Sequence, residues 1–136
     1  LARQVHELHV SWRPDLYTMP EELFPEDLFS ELVKSRELYV AKLDGTVVGF
    51  AWVRIRTSEG VGLVTRKVML INQVCVDKAL RNRGIGTRIM EELRVLARAF
   101  SCTDLQLSVY PQNDEAVNFY QKCGFMIQSI NMQRKV

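Results

Sequence analysis

The sequence predicts an α/β (α+β) fold built on a mixed sheet. Two β-rich runs are joined by Asp44-Gly45, a strong signal for an antiparallel hairpin. A third run, Val68 to Val76, is apolar and unbroken, which is typical of a strand covered on both faces. An amphipathic helix and a further strand follow it, and a strand–helix–strand crossover makes its two strands parallel.

The other elements follow from apolar spacing and from capping residues. The first segment has helical spacing and ends before Pro14, and Pro25 is suited to the first turn of a second helix. Asn113 is suited to cap the last helix, which Cys123-Gly124 ends. The predicted elements are helix 1–12, helix 25–35, strands 37–43, 46–57 and 68–76, helix 84–100, strand 104–109, helix 113–123 and a final antiparallel segment, 125–136.

Composition predicts an ordinary globular protein. The 136 residues suit one domain, and no apolar run approaches the roughly 20 residues of a membrane span. A net charge of +2, with acids and bases interleaved, argues against nucleic acid as a partner. The sequence therefore predicts one domain over residues 1–136 with neither a nucleic-acid nor a membrane partner.

Cysteine and histidine usage indicates neither a disulfide framework nor a metal site. The three cysteines are widely spaced, which fits a reducing compartment. His6 and His9 lie one helical turn apart with no Cys nearby, so we expect polar helix surface there and no bound metal. The chain starts at Leu1 without a visible signal peptide, and we expect a cytoplasmic location.

The turn between the third strand and the amphipathic helix has the chemistry of an anion site. Gly84 and Gly86 lack a Cβ, so a ligand can approach the backbone, and Arg81 and Arg83 add charge beside the positive end of the helix dipole. The alternative is that the glycines only allow close packing. A dinucleotide fingerprint would need a third Gly and a Walker loop would need Gly-Lys-Ser/Thr, and both are missing.

Two ordered motifs carry a family resemblance. Arg81-Asn82-Arg83-Gly84-Ile85-Gly86 resembles the Gln/Arg-x-x-Gly-x-Gly/Ala signature of the GNAT superfamily of acetyl-CoA-dependent N-acetyltransferases. Residues 113–125 resemble the family's Asn-x-x-Ala-x-x-Phe-Tyr-x-x-x-Gly-Phe segment. Both motifs in order, at the family's spacing, are more specific than either alone. The resemblance extends from about Glu37 to the C-terminus.

The resemblance implies the fold and the ligand. The fold would be a mixed, mostly antiparallel sheet with a central splayed pair of parallel strands and helices on both faces. The family's first strand, ahead of helix 1–12, is absent from the sequence given. Acetyl-CoA would bind at the splay, with CoA as the product. The residues expected to hold it are Val74 and Val76 through their main chains, then Arg81, Asn82, Arg83, Gly84, Gly86 and Thr87 at the pyrophosphate, and Asn113 from the other side.

The resemblance also implies a general acid but no general base. Tyr120 occupies the family's Phe-Tyr position and would protonate the departing thiolate. The alternative is that Tyr120, like Phe119, is a core aromatic. Some family members carry a Glu on the central strand, but residues 69–73 contain no carboxylate. Water relayed by Asn72, Gln73 or a carbonyl could serve instead.

The expected function is N-acetyl transfer to a primary amine of a small molecule or peptide, by direct attack in a ternary complex. The alternative is a CoA-binding regulatory or catalytically weak module, which the missing carboxylate favours. A nucleotide-binding fold of another family would predict NAD or ATP as the ligand. Residues that could line the acceptor pocket are Trp12, Tyr17, Phe24 and Trp52, with core packing the other role for Trp52. The sheet edge left by a short final segment could pair with another copy to form a homodimer.

Overall fold

A computed structural model describes residues 1–23 and 25–136. The eight predicted helices and strands up to residue 123 are all present, in the predicted order. A short 3-10 helix, Lys78–Leu80, lies between the third strand and the third helix. The elements are α1 Ala2–Trp12, α2 Glu26–Lys34, β1 Leu38–Leu43, β2 Thr46–Ser58, β3 Arg66–Val76, α3 Ile85–Ala99, β4 Asp104–Leu107 and α4 Asp114–Lys122.

The strands form a mixed sheet in the order β1-β2-β3-β4. The hairpin between β1 and β2 turns at Asp44 and Gly45, whose φ angles of 50° and 80° are those of a two-residue turn with both central residues left-handed. β2 pairs with β1 and β3 in antiparallel fashion, and β3 pairs with β4 in parallel. The predicted mixed sheet and its parallel pair are confirmed.

The core lies between α3 and one face of the sheet. Helix α3 buries one apolar stripe against the strands, as its 3.6-residue spacing predicts. On the other face of the sheet Phe50, Val68 and Cys75 are also buried. The central cluster comprises Ala51, Val53, Met69, Ile71, Ile89, Met90, Leu93 and Ala97.

A β-bulge interrupts β3 at Asn72. Trp52 lies opposite Gln73 while Val53 lies opposite Ile71, so Asn72 is one extra residue with no partner on β2. The bulge reverses the alternation of side chains along the strand. Met69 and Ile71 contribute to the α3 side of the core before it, and Val74 and Val76 pack on that same side after it.

The parallel ladder between β3 and β4 ends at the same place. Its pairs run from Val68 with Asp104 to Ile71 with Leu107, whereas β3 continues to Val76. The last four residues of β3, Gln73 to Val76, therefore pair with β2 alone. This is the separation of the two parallel strands that the family resemblance implies.

Two predictions about the end of the chain were wrong. The fourth strand ends at Leu107 and not at 109, and residues 125–136 form no strand. Phe125 packs against the core, but beyond it Met126, Ile130 and Met132 are each more than three-quarters exposed. Side-chain bonds attach it to the domain, from Gln106 to Gln128 and from Arg13 to Gln133. A strand needs a main-chain partner, and a ladder with a neighbouring strand is not formed here.

Replacement of Met69 by Ala should destabilise the fold strongly. Met69 is completely buried in the central cluster, so truncation leaves a cavity and should lower the free energy of unfolding by about 2–5 kcal/mol. Urea unfolding followed by circular dichroism measures this change. Val61→Ala is the control because Val61 is fully exposed between β2 and β3. Equal midpoints for the two variants would contradict the assigned core.

Candidate functional site

The end of β3 directs main-chain groups into the space where the parallel ladder has stopped. The N–H of Asp77 donates to the carbonyl of Val48 at 2.8 Å, so residue 77 faces β2. Main-chain groups alternate in an antiparallel ladder, so those of Val74 and Val76 point away from β2. They point toward the side from which β4 has withdrawn. Both residues therefore lie where the resemblance expects main-chain contacts to a ligand.

Arg81 lies against this open edge. Its Nε donates to the carbonyl of Val76 at 3.3 Å, and its guanidinium is half-buried. The backbone reaches Arg81 through the 3-10 helix, which Asp77 caps by accepting from the N–H of Ala79 at 3.0 Å. The Arg81 side chain thus lies beside the end of β3, at the open edge.

The turn after Arg81 exposes backbone N–H groups at the start of α3. Asn82 and Gly84 both have left-handed φ angles, 62° and 78°, and no heavy atom outside the adjoining residues lies within 4 Å of a Cβ built on Gly84. No side chain caps α3, and its first helical bond runs from the N–H of Arg88 to the carbonyl of Gly84. The N–H groups that precede it have no helical partner, which is the arrangement that receives an anion. Arg83 and Thr87 are exposed beside it.

Gly86 has a different role from Gly84. A Cβ on Gly86 would lie 3.1 Å from the ring of Phe119, so its absence allows α3 and α4 to approach closely. The packing explanation considered for the glycines therefore fits Gly86, and the open-turn explanation fits Gly84. Asn113 caps α4 by accepting from the N–H of Ala116 at 3.1 Å, which occupies its side-chain oxygen and leaves its NH₂ group.

Tyr120 lies on α4 among apolar neighbours. Its ring lies 5.4 Å from that of Phe119 and 5.8 Å from that of Phe125, and within the described residues its hydroxyl makes no hydrogen bond. Burial, followed by the nearby Cys123 and Cys75, raises the pKa of Tyr120 to about 12. The phenol therefore keeps its proton throughout the physiological range, as a hydrogen-bond donor must.

The residues predicted for an acceptor pocket separate into two places. Trp12 and Tyr17 both contact Tyr110, which follows β4. Trp52 instead donates from Nε1 to Glu37 at 3.2 Å, and this residue belongs to the sheet. Phe24 lies outside the described residues.

The histidines were predicted wrongly as polar helix surface. His6 and His9 are half-buried and contact the ring of Tyr17, at 5.9 and 5.3 Å. Their spacing on α1 puts both histidines on one face of the helix. It gives no indication of Tyr17, from the loop after α1, or of Tyr110, from the segment after β4. Among residues 1–23 and 25–136, no group of three potential ligands could hold a metal ion.

Two residues that position the site gave no usable sequence signal. Asn72 creates the bulge, but an exposed Asn in an apolar run has no distinctive spacing. Tyr110 directly follows the predicted strand 104–109, and nothing in its spacing marks it as a site residue. A hydrogen bond of 2.7 Å between the hydroxyls of Tyr17 and Tyr110 joins the loop after α1 to the segment after β4.

A cleft of about 250 Å³ lies away from all these residues. It is lined by residues at the start of β1, the middle of β2 and the end of α3, among them Tyr39, Ile55 and Phe100. None of the predicted site residues lines it. The candidate site is therefore an open groove at the ends of β3 and β4, between α1 and α3.

Comparison with known proteins identifies the family. The Acetyltransferase (GNAT) family matches residues 3–125, which include both motifs and all ten predicted site residues. The chain belongs to the GNAT family of acetyltransferases. The splayed strands, the uncapped α3 turn and the α4 tyrosine are thus features of a GNAT domain. No helix in the described part of this domain has the length and apolarity needed to span a membrane.

Individual relatives of this GNAT chain are distant. It is 28% identical over 114 residues to an N-alpha-acetyltransferase of Sulfurisphaera tokodaii, a match that covers 79% of this chain and 67% of the relative. The solved structure of a mutant BH1408 protein from Bacillus halodurans has a TM-score of 0.94 at 26% identity, covering 100% of this chain and 89% of that one.

A third comparison includes a ligand. The structure of the aminoglycoside N-acetyltransferase AAC(6')-Iy in complex with CoA has a TM-score of 0.66 at 21% identity, covering 79% of this chain and 82% of that one. This likeness shows the fold. The chain spans 57% to 67% of the length of three curated relatives that it matches.

Tyr120 should ionise well above the ordinary tyrosine pKa in the folded protein. Because burial favours the neutral phenol, Tyr120 should remain mostly protonated at about pH 11, above the ordinary tyrosine pKa of about 10. The folded state then binds more protons than the unfolded state between these pKa values, so this contribution to stability is lost as pH rises from about 10 to 12.

Tyrosinate absorbance of the wild-type protein and of Tyr120→Phe measures this titration. The difference between the two curves should show a group with a pKa of about 12. A difference curve centred near 10 would contradict the burial of the hydroxyl.

Proposed function

We propose that this chain transfers an acetyl group from acetyl-CoA to a primary amine of a small molecule or peptide, by direct attack in a ternary complex. The observation that carries the proposal is the continuity of two open hydrogen-bonding surfaces. The free edge of β3 beyond Ile71 leads directly to the uncapped N–H groups of α3. A long ligand with amides at one end and phosphates at the other suits this groove.

The residues present fit CoA at both ends of the groove. Val74 and Val76 offer main-chain groups to the pantetheine amides and the acetyl oxygen. Asn82, Gly84, Gly86 and Thr87 offer the turn and first helical N–H groups to the pyrophosphate, with Arg81 and Arg83 adding charge. Asn113 retains an NH₂ group on the other side.

Tyr120 is the proposed acid. The thioester supplies the acetyl group, and its sulfur departs with a negative charge that a phenol can stabilise by a hydrogen bond. Full proton transfer from a phenol with a pKa of about 12 to a thiolate with an ordinary pKa near 8.5 is uphill. Tyr120 therefore gives up its proton only as it receives one from the amine nitrogen, and returns to the neutral form.

The acceptor is proposed only as a class. One relative is named an N-alpha-acetyltransferase and one solved neighbour an aminoglycoside N-acetyltransferase, which together span peptide and small-molecule amines. Peptide amines and small-molecule amines both carry a positive charge before reaction. In this proposal an acceptor of either size would approach from the side of the groove near Tyr17 and Tyr110.

The second candidate function is a CoA-binding module with little or no activity. Its support is the composition of β3, which between Met69 and Gln73 has no carboxylate to accept a proton. Such a module would keep the groove and lack turnover.

Thiol release separates the two candidates. Acetyl-CoA is incubated with the chain and with spermidine, kanamycin or an unblocked tripeptide, and free CoA thiol is measured together with the acetylated amine by mass spectrometry. Steady thiol release with matching amine acetylation supports the enzyme. CoA binding by calorimetry without release from any of the amines would favour the module.

Replacement of Tyr120 by Phe should lower turnover at least ~10-fold and leave CoA affinity nearly unchanged. The phenyl ring keeps the packing against Phe119 and Phe125 and removes only the hydroxyl. Tyr39→Phe is the matched control, because Tyr39 packs on the core from β1. Unchanged turnover in Tyr120→Phe would exclude the hydroxyl from the reaction.

Replacement of Arg83 by Ala should weaken CoA binding roughly 10-fold, because it removes one charge-assisted contact at the turn. Arg83 is exposed and should change stability little. Arg56→Ala is the control, since Arg56 lies opposite Val68 at the far end of the sheet. Calorimetric titration with CoA gives both affinities. Equal losses in the two variants would indicate general charge attraction instead of a contact at the turn.

A further inference from the structure

Helix α1 crosses the opening between β3 and the segment after β4. Its first turn contacts the end of β3, where the thiol of Cys75 donates to the carbonyl of Leu1 at 3.4 Å and the N–H of Lys78 donates to Gln4 Oε1 at 3.0 Å. Its second half contacts Tyr110, through the rings of His9 and Trp12. The helix therefore covers the groove from the side opposite α3.

Aromatic and titratable side chains form a cluster between this helix and Tyr110. His9 is central to it, with ring centroids at 5.3 Å from Tyr17, 5.8 Å from Tyr110 and 6.2 Å from Trp12. The members come from α1, from the loop after it and from the segment after β4. We refer to His6, His9, Trp12, Tyr17 and Tyr110 as the α1 cluster.

The two histidines of the α1 cluster differ in their hydrogen bonds. His6 Nε2 lies 2.7 Å from the carbonyl of Thr18, so this nitrogen is protonated and occupied. Within the part of the chain that the structure describes, His9 has no hydrogen bond to either ring nitrogen. A half-buried imidazole with both nitrogens unused has the capacity to bind a donor that arrives with a ligand.

We propose that His9 contacts the acceptor amine and takes the proton from its ammonium group. This rests on the proposed acetyl transfer, and it supplies the proton acceptor that β3 lacks. The α1 cluster then has two functions: aromatic faces attract the approaching cation, and the imidazole nitrogen receives its proton.

The protons balance with Tyr120 on the other side of the groove. The ammonium gives one proton to His9, and the free amine lone pair forms the C–N bond as the C–S bond breaks. The nitrogen loses its second proton to Tyr120 while Tyr120 protonates the departing sulfur. His9 releases its proton to solvent, so the products are the amide, the free thiol and one proton.

The surroundings keep His9 neutral before reaction. Burial, and then the charge of His6, lower the pKa of His9 below its ordinary value of 6.5. The other groups that face it are the phenols of Tyr17 and Tyr110, and near these lies Arg13, which is paired with Asp15 at 2.8 Å. A lowered pKa means that His9 can accept a proton at neutral pH and loses this capacity as pH falls through that pKa.

The pH dependence of His9→Gln tests this role. Wild-type kcat/KM for the amine should fall on the acid side, below about pH 6.5. In His9→Gln it should be at least ~10-fold lower at pH 7, without this acid limb and with CoA affinity preserved. His6→Gln is the matched control and should keep the acid limb. Added imidazole should partly restore His9→Ala. A wild-type pH profile in His9→Gln would overturn the proposal.

A binding experiment keeps the test independent of turnover. In the complex with CoA, histidine resonances are followed by NMR while spermidine, kanamycin or an unblocked tripeptide is added. The His9 resonances should shift more than those of His6 with at least one amine. Absence of a His9 shift with all three would overturn the inference. Absence of thiol release in the wild type, with a His9 shift present, would overturn the proposed transfer alone.

Discussion

The structure depends on where the hydrogen bonds between β3 and β4 stop. Up to Ile71 the two parallel strands satisfy each other, and beyond it the main chain of β3 must find partners elsewhere. Arg81 supplies one, at the carbonyl of Val76, and a ligand with amide groups can supply the others. Backbone N–H and C=O groups need hydrogen-bond partners, which a neighbouring strand usually supplies. Where β4 has withdrawn, a ligand can supply them instead. Beyond Ile71, β3 has β2 on one side and no strand on the other, and the buried cluster that includes Met69 and Ile71 holds it in place.

The two halves of the groove are held together by contacts that the helices make with each other and with the end of β3. Gly86 at the start of α3 meets the Phe119 ring of α4, so the turn proposed to receive the phosphates and the helix that carries Tyr120 are in direct contact. On the other side, α1 is attached to β3 through Cys75 and Lys78 and reaches Tyr110 after β4. The residues proposed as donor and proton acceptor, Tyr120 and His9, are thereby carried by two different helices, α4 and α1.

The sequence allowed prediction of whatever depends on local pattern. Asp44-Gly45 located the hairpin, apolar spacing located α3, and the order of two motifs located the turn and Tyr120. It did not point to the role proposed for His9, because its neighbours Tyr17 and Tyr110 come from separate segments. A final antiparallel segment was predicted over 125–136, yet its Met126, Ile130 and Met132 are mostly exposed. Gly84 and Gly86 look alike in sequence, and only their surroundings separate an open turn from a helix contact.

The bulge at Asn72 also constrains how this stretch can change in evolution. One extra residue shifts the alternation of β3, so that Val74 and Val76 turn their side chains to the core and their main-chain groups to the groove. Deletion of one residue here would reverse the directions of these side chains and of these main-chain groups, because both alternate along a strand with a period of two. Substitutions at the exposed Asn72 leave that geometry intact. The identity of residue 72 can therefore vary in evolution, but loss of the residue would disrupt the groove.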